Sequence, residues 1–150
     1  MATRNGSAKW SGDLTTGSGE LTVGEGGWTS AYSGRSRFHG VLPGFEEGAG
    51  TNPEELLAAA HAACFSMALS LGLSEAGHPP RTIEACAQVH LRNVDSLPTI
   101  QQIDLETEAD VPGLDQGALR EQAQAAKRGC IISRALGGVE QINLSAELAS

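Results

Sequence analysis

Positive charge is scarce in this chain. Its 150 residues hold 10 lysines and arginines against 18 aspartates and glutamates, for a formal net charge of −8. A nucleic acid demands a basic face, so this balance speaks against a nucleic-acid partner, and an anionic bilayer would repel the chain as well. Cysteine is equally sparse. The three present, Cys64, Cys86 and Cys130, make an odd count with neither a secreted disulfide framework nor paired Cys-x-x-Cys metal knuckles. A reducing, cytoplasmic setting is therefore expected. Residues Met1–Trp10 lack the apolar h-region of a leader, and no later stretch is read as approaching the ~18 consecutive apolar residues of a membrane span. There is no repeat at a fixed period and no low-complexity tail, and the length suits one domain over residues 1–150.

What is present alternates short β-like runs with glycine. Ser7 to Trp10, Gly19 to Val23 and Trp28 to Phe38 are expected as strands, with turns at Gly12-Asp13 and Gly24 to Gly27. Gly40 to Gly50, with Pro43 and several glycines, is expected as a loop. A helix then starts clearly. Asn52 is a cap, Pro53 suits the first helical position, and Glu54 and Glu55 sit where the dipole favours anions. The helix should run to about Ala76, with Gly77 and Pro79-Pro80 as its stop. Strands follow at Ile83 to Leu91 and Ile103 to Ala109, then a helix at Leu114 to Lys127 capped by Asp115. A short helix from Cys130 to Leu136 and a strand from Glu140 to Leu148 complete an α+β order.

Leu57, Ala60, Cys64, Met67 and Leu71 recur at steps of three or four on the long helix, so Cys64 faces a core or an interface. A lone helical cysteine is most simply a small core residue. Burial raises a thiol above its usual pKa near ~8.5, and Cys64 lies beyond the first turn where the dipole acts, so a reactive thiolate there requires a cation. Arg37 is the candidate. Its guanidinium can hold a thiolate with one edge and a carboxylate, such as Glu54, with another, the alternative being a solvated surface arginine. Glu54 and Cys64 lie ten residues apart on one helix, about 15 Å of rise, so a homodimer with antiparallel helices is the arrangement expected to join them. Cys130 follows Gly129 at a helix start, where backbone N–H groups favour a thiolate, which fits a resolving thiol or a chance companion. His61, three residues before Cys64, is read as a base, a metal partner or a hydrogen-bonded packing residue. No second His or Cys at ligand spacing supports the metal. Cys86 falls on the polar face of its strand, without an assigned role.

The run Thr51-Asn52-Pro53-Glu54-Glu55-Leu56-Leu57, continued by His61-Ala62-Ala63-Cys64-Phe65-Ser66-Met67-Ala68, resembles the signature helix of the OsmC/Ohr family of thiol peroxidases. Histidine at position 61, where the organic hydroperoxide resistance branch usually has tyrosine, points to the OsmC, osmotically induced branch. The resemblance implies an intertwined homodimer in which antiparallel sheets, six-stranded in the dimer, enclose long central helices. It implies that Cys64 is the peroxidatic and Cys130 the resolving cysteine, joined by a Cys64–Cys130 disulfide during turnover, with Glu54 and Arg37 as the carboxylate–arginine pair. Organic (alkyl or lipid) hydroperoxides would be reduced better than hydrogen peroxide, in oxidative and osmotic stress defence. No cofactor or metal is implied, only an external dithiol, with lipoylated proteins known in that role in the organic hydroperoxide branch. Leu42, Phe45 and Phe65 are the apolar residues expected near the substrate. Two features depart from relatives: Ile131 stands where proline commonly follows the resolving cysteine, and the segment between Arg37 and Thr51 is longer. A redox-sensing or binding dimer that uses the same disulfide without turnover is the alternative reading.

Overall fold

A computed structural model describes residues 2–25 and 27–150, so Gly26 of the expected Gly24–Gly27 turn lies outside the described residues. Two compact units are distinguished. One reaches from the amino-terminal segment to Leu56 and takes in Arg92–Thr99, and the other comprises Leu57–Leu91 and Ile100–Ser150.

In the first unit β1 (Gly6–Ser11), β2 (Ser18–Val23) and β3 (Trp28–Ser33) form an antiparallel sheet in that order, with Gly6 opposite Val23 and Ser18 opposite Ser33. The third strand is shorter than expected. Gly34–Phe38 is a helix, α1, because Ser33 ends the strand with a reciprocal capping box: Ser36 N donates to Ser33 Oγ (3.0 Å) and Ser33 N donates to Ser36 Oγ (2.9 Å). Gly34 is required by close approach, since a Cβ there would lie 2.3 Å from the Leu14 carbonyl oxygen. Residues 40–50 form no helix or strand, as their composition implies. Thr51 then pairs with Tyr32 in an isolated parallel bridge.

The long helix α2 (Pro53–Glu75) matches its expected bounds, and Asn52 caps it by accepting from Glu55 N at 2.9 Å. From Leu57 onward it belongs to the second unit. The strands β4 (Thr82–Val94), β5 (Leu97–Asp110) and β6 (Gln141–Leu148) adjoin in that order and belong to the second unit except for Arg92–Thr99, and α3 (Gln116–Gly129) and α4 (Ile131–Ala135) lie between β5 and β6 in sequence. Asp95 and Ser96, both at positive φ, make the tight turn from β4 to β5. The expectation of purely antiparallel sheets fails at one edge: β6 runs parallel to β5, Leu105 opposite Leu144. The helical crossover through α3 and α4 brings the chain back in the same direction, which a tight hairpin cannot do. Asp115 caps α3 by accepting from Ala118 N, and Gln116 clamps the helix to β6 by donating to the Ala146 carbonyl and accepting from Leu148 N.

The buried face of α2 also differs from the expected stripe. His61, Phe65, Leu69 and Leu73, four residues apart, are fully buried, whereas Met67 and Leu71 are 72% and 61% exposed. Leu56–Leu73 carries no charged side chain, and its polar residues are only His61, Ser66 and Ser70, so periodicity cannot select one face. The same composition corrects the reading that no stretch approaches a membrane span: α2 is long and apolar enough to cross one by length and composition, a property shared by core helices of non-membrane proteins. Phe65, Leu69 and Leu73 meet Leu105 of β5 and Leu119 and Ala123 of α3 in the core of this unit.

Candidate active site

Arg37 lies in the last turn of α1, not at a strand end, because the Ser33 cap turns the chain into a helix four residues before it. Two bonds hold α1 against the start of α2: Ser36 Oγ donates to the Thr51 carbonyl (2.8 Å) and Asn52 Nδ2 donates to the Ser36 carbonyl (3.0 Å). They bring Arg37 and Glu54 together. Arg37 Nη2 donates to Glu54 Oε1 at 2.8 Å, and Nε reaches both carboxylate oxygens at 3.2 Å. Glu54 is buried while the arginine side chain is 40% exposed, so a firmly held carboxylate orients a cation that keeps an open edge. The guanidinium also lies over the Phe38 ring, 5.0 Å from its centroid.

A pocket of about 290 Å³ adjoins this pair, lined by Trp10, Leu14, Tyr32, Arg37, Phe38 and Pro53 among others. Trp10 and Tyr32 pack at a 5.5 Å centroid distance, as do Phe38 and Phe45. Leu42 and Phe45, expected near the substrate, do not line this pocket, although Phe45 packs on Phe38; the sequence missed Trp10, Leu14 and Tyr32, whose only signal is an apolar residue among short polar strands. Phe65 belongs elsewhere. It is fully buried in the core of the second unit and so is not available to a substrate.

In the second unit the two cysteines meet. Both are free thiols, Cys64 half-buried on α2 and Cys130 buried between α3 and α4, and Cys64 packs against the buried cluster that contains Cys130. Cys130 ends α3 by donating its N–H to the Ala126 carbonyl and caps α4 by accepting from Ser133 N at 3.4 Å. Burial pushes its pKa up. The influence of the Ser133 N–H and hydroxyl, the Cys64 thiol and the Ile132 N–H outweighs that effect and leaves Cys130 below the ordinary thiol value. His61, fully buried, holds Ser133 Oγ at 2.7 Å through Nε2, while its Nδ1 has no partner. Burial, then the nearby Lys127 ammonium, lowers its pKa. The sequence named His61 and Ser133 separately, and 72 residues between them hid the bond. Among the described residues no three His, Cys, Asp or Glu side chains cluster as a metal site, and Cys86 is exposed on β4, apart from the other thiols.

The profile described as OsmC-like protein matches residues 46–145, a span that contains Glu54, Cys64 and Cys130 and excludes Arg37. Peroxiredoxin OsmC of Escherichia coli (strain K12) is 42% identical over 98% of this chain and 97% of its own length. Among solved structures, the organic hydroperoxide resistance protein OhrB of Bacillus subtilis superposes with a TM-score of 0.69 at 26% identity, covering 99% of this chain and 98% of that one. An organic hydroperoxide resistance protein from Elizabethkingia anophelis gives a TM-score of 0.73 at 21% identity over 100% and 97% of the two chains, a likeness of fold. Two small sheets, a long helix carrying one thiol and a helical crossover carrying another define an α+β protein of OsmC-like fold. The chain belongs to the OsmC-like family, in its OsmC branch. It is a peroxidase.

Proposed function

We propose that the protein reduces organic hydroperoxides, alkyl or lipid, in preference to hydrogen peroxide, by a two-cysteine cycle within a single OsmC-like domain. The observation that carries this reading is the approach of two free thiols, Cys64 packing against the buried cluster that contains Cys130. The Cys64 thiolate attacks the terminal peroxide oxygen; the O–O bond breaks, the alkoxide takes a proton and leaves as alcohol, and Cys64 becomes a sulfenic acid. Cys130 condenses with it, forming the disulfide and releasing water. An external dithiol then reopens the bond by exchange. Arg37, oriented by Glu54, is the cation assigned to the Cys64 thiolate and to the charge that develops on the departing oxygen.

The preference for organic substrates rests on the apolar pocket beside Arg37, where Trp10, Leu14, Tyr32 and Phe38 accept an alkyl group that hydrogen peroxide lacks. The proposed partners are a second copy of the chain and a dithiol reductant, with a lipoylated protein as one candidate. The homodimer reading is supported by the exposed apolar stripe of Ala60, Ala63, Met67 and Leu71 on α2. Unpaired thiols fit a reducing cytoplasm, and the chemistry fits defence against oxidative and osmotic stress.

The test is consumption of cumene hydroperoxide and hydrogen peroxide with dihydrolipoamide as reductant, for the parent, Cys64→Ser and Cys130→Ser. Many turnovers that favour the organic peroxide and vanish in Cys64→Ser are expected. One equivalent consumed per Cys64, with no further turnover, would instead make the protein a redox sensor.

A further inference from the structure

The catalytic cycle leaves one buried ionisable group without a task. His61 is fully buried, its Nε2 lies 2.7 Å from Ser133 Oγ, and its Nδ1 touches no polar partner. Ser133 in turn donates its backbone N–H to the Cys130 sulfur at 3.4 Å, and its hydroxyl is among the groups that lower the Cys130 pKa. Imidazole, Ser133 and the Cys130 thiol thus lie in succession, His61 on the serine hydroxyl and the serine N–H on the sulfur, all within the second unit.

The tautomer of the ring decides what this chain does. A hydroxyl has one hydrogen to give. If the neutral ring carries its proton on Nδ1, the hydroxyl hydrogen points to Nε2, the sulfur loses that donor, and an N–H is buried without an acceptor, at the full desolvation cost of that group. If the proton sits on Nε2, the ring donates to Ser133 Oγ, and the hydroxyl hydrogen is directed at the sulfur. Only a bare lone pair is then left at Nδ1, the more tolerable orphan. The surroundings keep the ring neutral. Of the groups facing it, Lys127 on α3 repels a proton, its ammonium being held by the Ile142 carbonyl of β6, and Cys130 is reached only through Ser133.

We infer that His61 is a positioning residue for the resolving step: protonated at Nε2, it holds the Ser133 hydroxyl so that its hydrogen stabilises the Cys130 thiolate. The inference rests on the reading of Cys130 as the resolving thiol. In the step it serves, the Cys130 thiolate attacks the sulfenyl sulfur of Cys64. The S–S bond forms and the S–O bond breaks. The departing hydroxide takes up the proton that ionisation of Cys130 released, and leaves as water.

A kinetic signature separates this role from simple packing. Each unit by which the Cys130 pKa rises cuts its thiolate fraction about tenfold below that pKa, while the more basic sulfur becomes about threefold more nucleophilic. Resolution should therefore slow about threefold per unit at neutral pH. Above the pKa, where both thiols are ionised, the order should reverse and the variant should resolve faster by about the same factor.

The experiment uses the full-length protein and a single equivalent of cumene hydroperoxide, following the lifetime of the Cys64 sulfenic acid by trapping and mass spectrometry across pH. The variants are Ser133→Ala, His61→Leu and His61→Gln, with Cys130→Ser as control. Ionisation of Cys130 is read separately from thiolate ultraviolet absorbance in a Cys64→Ser background. Slower resolution at neutral pH with reversal at alkaline pH in Ser133→Ala and His61→Leu, restored toward the parent by the N–H of His61→Gln, supports the inference. So does a ring ¹⁵N spectrum showing the Nε2–H tautomer. Uniform slowing at all pH values, or an unchanged Cys130 ionisation in Ser133→Ala, overturns it. A sulfenic acid that resolves at the parent's rate in Cys130→Ser overturns the underlying two-cysteine reading instead.

Discussion

Glu54 is the most committed side chain in the first unit. Its carboxylate is buried and receives three hydrogen-bond contacts from one guanidinium, so Arg37 is held in a fixed plane while its outer edge stays open. Lysine cannot reproduce that fork. Arg37→Met is expected to lower kcat/KM by about 100-fold, the scale of one lost electrostatic contact to a reacting oxygen, and Arg37→Lys to recover only a part. Both are read from steady-state rates with an organic hydroperoxide. Because the arginine is partly solvated, the accompanying loss of stability should stay near the lower end of roughly 1–3 kcal/mol. His61 makes a second prediction at this scale. Its folded pKa is depressed, first by burial and then by Lys127, so between its folded and unfolded values the unfolded chain binds more protons. Its contribution to stability is fully present above pH 6.5 and is lost as pH falls through the folded value. Urea unfolding at fixed protein concentration should show the parent losing more stability between pH 7 and pH 5 than His61→Gln does. Equal losses would mean that the ring is protonated in the folded protein.

At the scale of elements, α2 links Cys64, the proposed peroxidatic thiol, to a core and to an uncovered face. Leu73 is fully buried, and Leu73→Ala should cost roughly 2–5 kcal/mol, seen as a lower urea midpoint with an unchanged slope. The first turn of α3 depends on the Asp115 cap. Asp115→Ala should cost about 1 kcal/mol, and because α3 ends at Cys130 it tests whether loosening that helix also slows disulfide formation. The element that departs most from its sequence pattern is the third strand. Trp28 to Phe38 reads as one β-run, yet the serine pair at 33 and 36 caps a helix, and that turn is what carries Arg37 to Glu54.

For the molecule as a whole, the stripe of Ala60, Ala63, Met67 and Leu71 stays uncovered in a single chain. A second copy of the same helix has the small residues and the length to cover it. Sedimentation of the parent should give a dimer, and Met67→Asp, which would place a charge in that contact, should shift the protein toward monomer and lower its activity. A parent that sediments as a monomer with full activity would remove the dimer from the mechanism.

Local sequence determined the long helix almost to the residue, since Asn52, Pro53, Gly77 and Pro79-Pro80 act through nearby backbone groups that need no tertiary partner. It also offered Cys64, Cys130, Arg37 and Glu54 as candidates, through thiol and guanidinium–carboxylate chemistry together with the family resemblance. It did not determine which face of α2 is buried. A helix made of alanine and leucine on nearly every side has no preferred stripe, and β5, α3 and the crossover decided in favour of His61, Phe65, Leu69 and Leu73. The parallel pairing of β5 and β6, the contact between Cys64 and Cys130, and the bond from His61 to Ser133 were likewise decided only by tertiary structure. Each joins residues tens of positions apart, and sequence separation carries no distance once the chain has folded.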